Sequence, residues 1–381
     1  MRNTAATDEL NAGFRQGFDS MGRDSGQDRA IVLTSWPSVP VEIIRAAGFE
    51  SVTALGGPRG TPAADAMLES DIFPSRLRHL VEKALTGKLD GVAAIVLPRT
   101  SDSDYKCFLY LREFVRRGVI GSLPPVLLFD LLQSANARVA DYDAERVSDL
   151  FDKLLALSGR RASPEGLQQE IASANDGRAA ARRLLGLRVG EPRIKGSEAL
   201  PLLGAFWQVP AKRYAPLAEA ATVEIAGWPS LENPRVLLAG APVDSVNVHA
   251  AVEAAGGVVV AEVSPFGSGV AGDDVVVNGN PVTALADKYR RDSIDARTPV
   301  KKLRQWFEDS VESADAVLLS QPPYDGVFGW DYPALCELLN RRSIPHAVIE
   351  GDPGSEPTDA DHDRIVTLIG EAAEKKAARY G

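Results

Sequence analysis

The sequence predicts an α/β protein of two Rossmann-like parallel-sheet lobes, a tandem duplication joined by a helical segment, with a cleft between the lobes. Three observations lead there. Short, continuous apolar runs alternate with helical segments, the pattern of strands covered on both faces. The alternation occurs twice, on either side of a long stretch with no strand signal. The two halves also repeat the same units in the same order: PVEIIRAAGFESVTAL with VNVHAAVEAAGGVVVAEV, GVAAIVLP with ADAVLLSQ, and PPVLLFDL with IPHAVIEGD. At 381 residues, 45% hydrophobic and 25% charged, the chain is long and apolar enough for two cores.

Residues 1–28 are polar, yet Leu10, Phe14, Phe18 and Met21 recur at helical spacing, which predicts an amphipathic helical extension packed on the body. The first lobe is expected over 29–140. Its strands are 30–35, 51–55, 91–98 and 124–131; its helices are 40–49, ended by Gly48, then 75–86 and 105–117. A helical connector over 141–230 follows, with amphipathic helices at 143–159 and 164–187, the second opened by Ser163-Pro164. The second lobe, 231–355, repeats the scheme: a strand and loop at 235–242, strands at 258–264, 314–321 and 344–352, and helices at 246–257, 299–312 and 331–342. A C-terminal helix over 356–381 carries Ile365, Leu368, Ile369 and Ala372 on one face.

A net charge of −10 argues against nucleic acid as a partner, since an acidic surface repels phosphate backbones. No apolar run approaches the roughly 18 residues of a membrane span, and the first residues lack the apolar core of a signal peptide, so the expected location is the cytoplasm. Two cysteines, Cys107 and Cys336, make no disulfide framework. The four histidines, His79, His249, His346 and His362, have no metal-ligand spacing, and there is no G-x-S-x-G elbow.

Ligands of open parallel sheets sit outside the carboxyl ends of the strands. That rule singles out loops 35–42, 56–62, 98–105, 240–246, 263–270 and 321–331. Within them, Arg59 in GGPRGTP is placed to meet an anion beside backbone N–H donors. Arg99, Thr100 and Ser101 close a strand, with Asp102 or Ser103 as the cap of the next helix. Asp244 or Ser245 reads as another cap. Trp330 and Tyr332 offer either a stacking surface for a flat ligand or core packing.

The ordered series SWPSVPVEIIRAAGF, LTGKLDGVAAIVLPRTSD, KGSEAL, LLAGAPVDSVNVHAAVEAAGGVVVAE, FGWDYPALCELL and IPHAVIEGD, spread over residues 30–352, resembles the 2-hydroxyacyl-CoA dehydratase D-component and class I benzoyl-CoA reductase subunits. The resemblance implies two Rossmann-like lobes, an acyl-CoA thioester as substrate, and pairing with a paralogous subunit of the same family. It also implies a [4Fe-4S] cluster held by three cysteines and fed by an ATP-dependent activator. Here the three ligand positions read Phe73, Ser101 and the Pro322–Asp325 loop, none of them a thiol. The resemblance therefore implies a member without a cluster of its own, with any [4Fe-4S] centre on the partner, and with Phe73 filling the vacated space.

On this basis the chain is expected to be a cluster-free subunit of a heteromeric acyl-CoA dehydratase- or reductase-like complex. A stand-alone non-redox acyl-CoA enzyme and a non-catalytic ligand-binding protein are the alternatives. Catalytic candidates are Ser101, Asp102 and Arg99, with Asp325 as a further acid–base group. Substrate-binding candidates are Ser35, Trp36, Arg59, Thr100, Tyr324 and Trp330. Glu42 is expected only to favour the amino end of its helix.

Overall fold

The computed structural model describes residues 5–19, 30–57, 59–69, 71–134 and 136–380. In chain order, α1 (Ala5–Asp19) precedes the first lobe: β1 (Ile31–Thr34), α2 (Val41–Ala46), β2 (Glu50–Thr53), α3 (Pro62–Asp65), α4 (Ser75–Leu85), β3 (Val92–Pro98), α5 (Asp102–Arg116) and β4 (Val126–Phe129). The connector holds α6 (Ala137–Ser158), α7 (Pro164–Leu185), α8 (Gly196–Gly204) and α9 (Ala211–Ile225). The second lobe has β5 (Arg235–Gly240), α10 (Asn247–Ala254), β6 (Val258–Glu262), α11 (Pro281–Asp292), α12 (Val300–Val311), β7 (Ala316–Ser320), α13 (Tyr332–Arg341) and β8 (His346–Ile349). The chain closes with α14 (Asp359–Tyr380).

Each lobe carries a four-stranded, all-parallel sheet, in the orders β2-β1-β3-β4 and β6-β5-β7-β8. Sequential numbering maps one order onto the other, as the repeated sequence pattern predicts. The central strands β1, β3, β5 and β7 are mostly apolar because helices cover both faces, and their side chains feed separate cores on the two sides of each sheet. The carboxyl ends of β1 and β4 meet the second lobe: the Trp36 indole N–H donates to the Ile294 carbonyl at 2.9 Å, and Arg297 pairs with Asp130.

The connector is more elaborate than the two helices expected from sequence. Besides α6 and α7 it contains α8 and α9, whose alanine- and proline-rich segments give a weak amphipathic signal yet bury Leu200, Leu203, Tyr214 and Ile225 in a central core. In the second lobe α11 is an addition to the expected helices. It follows Asn280, whose side chain accepts from the Val282 N–H, and Pro281 at the first helical position.

Leu10 and Phe14 of α1 are buried as predicted, against α8 and α9. Phe18's side chain and Met21 lie outside the described residues. Two glycines permit the close approach. A Cβ on Gly13 would meet Val209 Cγ2 at 2.4 Å, and one on Gly204 would meet the Phe14 ring at 2.4 Å.

Two buried ion pairs tie the connector to the lobes. Arg178 of α7 bonds Glu42, which also accepts from the Tyr289 hydroxyl of α11 at 2.9 Å. Glu42 is thus no mere helix-dipole charge: it is fully buried and joins three elements. Burial alone would raise its carboxyl, but Arg178 beside it carries it below the ordinary range. Likewise Arg188 pairs with Glu262 at the end of β6, and His249 lies 3.7 Å from the same carboxylate.

Candidate functional site

A cavity of about 990 Å³ opens where the lobes, connector and α1 converge. Its floor is formed by Gly56, Gly57, Arg59, Gly60 and Thr61 with Ser75, Arg78 and His79 of α4. Lobe 2 contributes Ser245–Asn247 at the amino end of α10 and the Asp352–Glu356 loop after β8. The connector adds Ile194, Ser197 and Trp228, and α1 lies over it with Asp8, Asn11, Phe14 and Arg15. The volume is at the upper end of what small-molecule sites occupy, about 300–1,000 Å³. Within the floor, His79 clamps loop to helix: Nδ1 lies 2.9 Å from the Ser75 carbonyl and Nε2 2.9 Å from the Arg59 carbonyl.

Behind the Ser75–Asp352 wall is a polar centre between the lobes. Its anchor is Asp104, on the first turn of α5 and fully buried. The carboxylate accepts from Ser35 Oγ (2.8 Å), Thr100 Oγ1 (2.9 Å), Ser101 Oγ (2.6 Å) and both Arg76 terminal nitrogens (3.2 and 3.1 Å). A buried charge is tolerable when paired and saturated in this way. Arg76 also lies 4.6 Å over the Trp36 ring.

From the second lobe, the Tyr324 hydroxyl donates to Asp352 Oδ1 at 2.9 Å, and the Gly354 N–H donates to the same oxygen at 2.9 Å. Burial, with Asp352 and Asp244 nearby, pushes the Tyr324 hydroxyl well up. Asp244, in the turn between β5 and α10, is buried, and among the described residues no side chain donates a hydrogen bond to its carboxylate. Burial raises its carboxyl; Arg76 opposes the shift, Asp352 reinforces it, and the outcome is about 6.

Of the residues singled out by sequence, the structure gathers Ser35, Thr100 and Ser101 around one carboxylate, with Tyr324 across the lobe boundary. Arg59 lines the cavity. Trp36 is buried beneath Arg76. Arg99 points outward to Asp130, with its guanidinium over the Tyr105 ring, and with Thr100 it borders a void of about 20 Å³. Asp102 is exposed. Asp325 is turned into its own loop, accepting from the N–H groups of Val327, Phe328 and Gly329. Trp330 is 86% exposed, and its indole bonds the Gly326 carbonyl. Tyr332 packs inward and donates to the Ser320 carbonyl.

The cap of α5 is Ser101, whose Oγ accepts from the Asp104 N–H at 3.1 Å, and not Asp102 or Ser103. The Ser103 hydroxyl is committed to the Ile72 carbonyl at 2.6 Å. At α10, Ser245 receives the Asn247 N–H at 3.1 Å, which leaves Asp244 without a capping role. Four residues of the centre escaped the sequence reading as site residues: Arg76, Asp104, Asp244 and Asp352. Asp104 carried a usable signal, a carboxylate three residues after a strand-end serine, but that spacing also describes an ordinary helix start.

The positions at which a three-thiolate cluster would be held do not suit one. Phe73 is buried in the first lobe's core, its ring 5.5 Å from Tyr110. Ser101 is committed to Asp104, and the Pro322–Asp325 loop offers a phenol already bonded to Asp352. Cys107 is enclosed in the same core as Phe73, its thiol pushed up by burial, and Cys336 lies on α13. Among the described residues no group of three or more His, Cys, Asp or Glu side chains is arranged to hold a metal ion. No helix among them is long and apolar enough to cross a membrane.

A family model described as the D-component of 2-hydroxyglutaryl-CoA dehydratase matches residues 38–369. The chain is also 23% identical over 344 residues to one of the subunits of benzoyl-CoA reductase from Thauera aromatica, an alignment covering 85% of this chain and 86% of that relative. With nearly the whole two-lobed body inside the matched span, the chain belongs to the 2-hydroxyglutaryl-CoA dehydratase D-component family.

Proposed function

We propose that the chain is a cluster-free subunit of a heteromeric acyl-CoA dehydratase- or reductase-like complex, and that its inter-lobe cavity receives an acyl-CoA thioester. The carrying observation is the cavity itself: about 990 Å³, walled by both lobes, in a family member whose three ligand positions hold no thiol. Iron–sulfur clusters need thiolates, so electron transfer through a cluster falls to a partner chain. The family description names one component of an enzyme and the relative is one subunit of a reductase, which supports a heteromeric assembly; the partner we propose is a paralogous chain and the location the cytoplasm.

The test is anaerobic affinity purification of the tagged chain from its native host, with iron and sulfide assayed on the same sample. A stoichiometric, iron-bearing sister chain is expected. A colourless, iron-free assembly of this chain alone overturns the subunit reading. One observation favours a second reading, a stand-alone non-redox acyl-CoA enzyme: the buried carboxyl of Asp244, which no cation pairs directly among the described residues.

A further inference from the structure

We propose that the floor of the cavity is a diphosphate subsite, where the loop after β2 and the guanidinium groups of Arg15, Arg59 and Arg78 receive the charged end of an organic diphosphate. The proposal rests on the acyl-CoA reading of the cavity, in which that diphosphate belongs to coenzyme A, and goes beyond it by naming the groups that hold it.

Three elements bring the cations to one place, and all three side chains line the cavity. The Arg59 carbonyl lies 2.9 Å from His79 Nε2, which fastens the loop to α4 one residue from Arg78. Arg78 is fixed in turn by Asp65 of α3, whose carboxylate also accepts from the Thr61 hydroxyl at 2.6 Å. The Gly17 carbonyl of α1 accepts from the Leu55 N–H at 3.3 Å, so the end of α1 that carries Arg15 stands beside the start of the loop. Asp8, the carboxylate that α1 adds to the lining, lies seven residues back, about 10 Å along the helix.

The loop also offers backbone donors. Gly56, Gly57 and Gly60 line the cavity, and among the described residues their N–H groups have no acceptor. Gly56 is buried, and a buried N–H without an acceptor is a rare and costly arrangement that an anion relieves. The loop is seated tightly as well, since a Cβ on Gly56 would meet Ser75 Oγ at 2.5 Å. Of the remaining carboxylates in the lining, Asp352 is bonded by Tyr324 and the Gly354 N–H, Glu198 accepts from the Lys195 N–H at 3.3 Å, and Glu356 is exposed on the loop of lobe 2.

This donor set fits a diphosphate better than a carboxylate. Each guanidinium carries a fork of N–H donors that matches phosphate oxygens, and with the loop N–H groups they exceed what two carboxylate oxygens accept. A free phosphate ion would leave most of about 990 Å³ unfilled, whereas a coenzyme A ester extends its pantetheine arm and acyl group across the rest of the cavity.

The experiment measures binding to the full-length protein by calorimetry. Its ligands are butyryl-CoA, S-butyryl-pantetheine, which keeps the acyl arm and lacks phosphate, and inorganic pyrophosphate. Butyryl-CoA is expected to bind at least about tenfold tighter than the pantetheine thioester, with an affinity that falls as salt is raised. Arg15→Ala and Arg59→Ala are each expected to weaken butyryl-CoA and pyrophosphate about tenfold, the scale of a lost charged hydrogen bond, and to leave S-butyryl-pantetheine within about twofold. Both variants keep the fold, because His79 holds residue 59 by its carbonyl and Arg15 is exposed. Equal affinity for the two thioesters, or substitutions that weaken both alike or neither, overturns the subsite and leaves the acyl-CoA reading standing. Pyrophosphate binding that Arg59→Ala weakens, without any binding of butyryl-CoA, upholds the subsite and overturns the acyl-CoA reading. Absence of binding by butyryl-CoA and pyrophosphate alike overturns both.

Discussion

At the scale of single residues, the carboxylates at the lobe boundary differ by what they touch. Asp104 and Asp352 accept from side-chain donors, whereas Asp244 has a backbone N–H, the field of Arg76 and the like charge of Asp352. A carboxyl held above its unfolded value of 3.8, at about 6, binds more protons folded than unfolded between those two values. Stability therefore falls as pH rises through that window, and the full cost is present above it. The shift corresponds to about 2–3 kcal/mol. Asp244→Asn is thus expected to be more stable than the parent by about that amount at pH 7.5, with the gap closing towards pH 4, as read by urea denaturation at each pH. A gap independent of pH would mean that Asp244 is paired in the folded protein. Little of this was legible in the sequence. An aspartate between a strand and a helix reads as a cap, and only the structure shows that Ser245 takes the helix N–H. Ser35, Thr100 and Ser101 were found because the strand-end rule is local. Arg76 was missed because it comes from a helix whose approach to β3 is a tertiary fact.

At the scale of elements, the strands were the legible part. The runs IVLT, VAAIVLP, VLLAG and AVLLS are apolar enough to be buried on both faces, and each became a strand. The connector was harder, because α8 and α9 set Leu200, Leu203, Tyr214 and Ile225 among buried alanines and, in α8, glycines, which carry little hydrophobic signal but allow close approach. The roof helix α1 depends on that closeness. Gly204→Ala adds a methyl 2.4 Å from the Phe14 ring, while alanine suits the α8 backbone better than glycine by about 0.5–1 kcal/mol. The substitution is expected to leave α8 formed and to release α1. Hydrogen-exchange mass spectrometry checks this: residues 5–19 should lose protection while β1, β3, β5 and β7 keep theirs. Unchanged protection in α1 would show that other contacts hold it down.

At the scale of the whole molecule, the two lobes share an architecture and divide the labour. Lobe 1 supplies the saturated anchor Asp104 and the loop carrying Arg59; lobe 2 supplies Asp244, Tyr324 and Asp352. A ligand bridging them stabilises the closed arrangement by mass action, about 2.7 kcal/mol at a hundred times its dissociation constant. Coenzyme A thioesters are therefore expected to raise the unfolding temperature in a concentration-dependent way, and a melting curve indifferent to millimolar butyryl-CoA would count against the cavity as their site. The cavity wall runs from Thr7 to Glu356, with contributions from both lobes, the connector and α1. On a ribosome, then, this protein is blind to its ligand for nearly all of its synthesis. Lobe 1 emerges with no site to fill, one face of its sheet still waiting for α6, α7 and α11, and recognition begins only once the loop after β8 has left the exit tunnel. Any nonsense mutation upstream of Asp352 yields a product that has lost the site, however much of the first lobe survives in it.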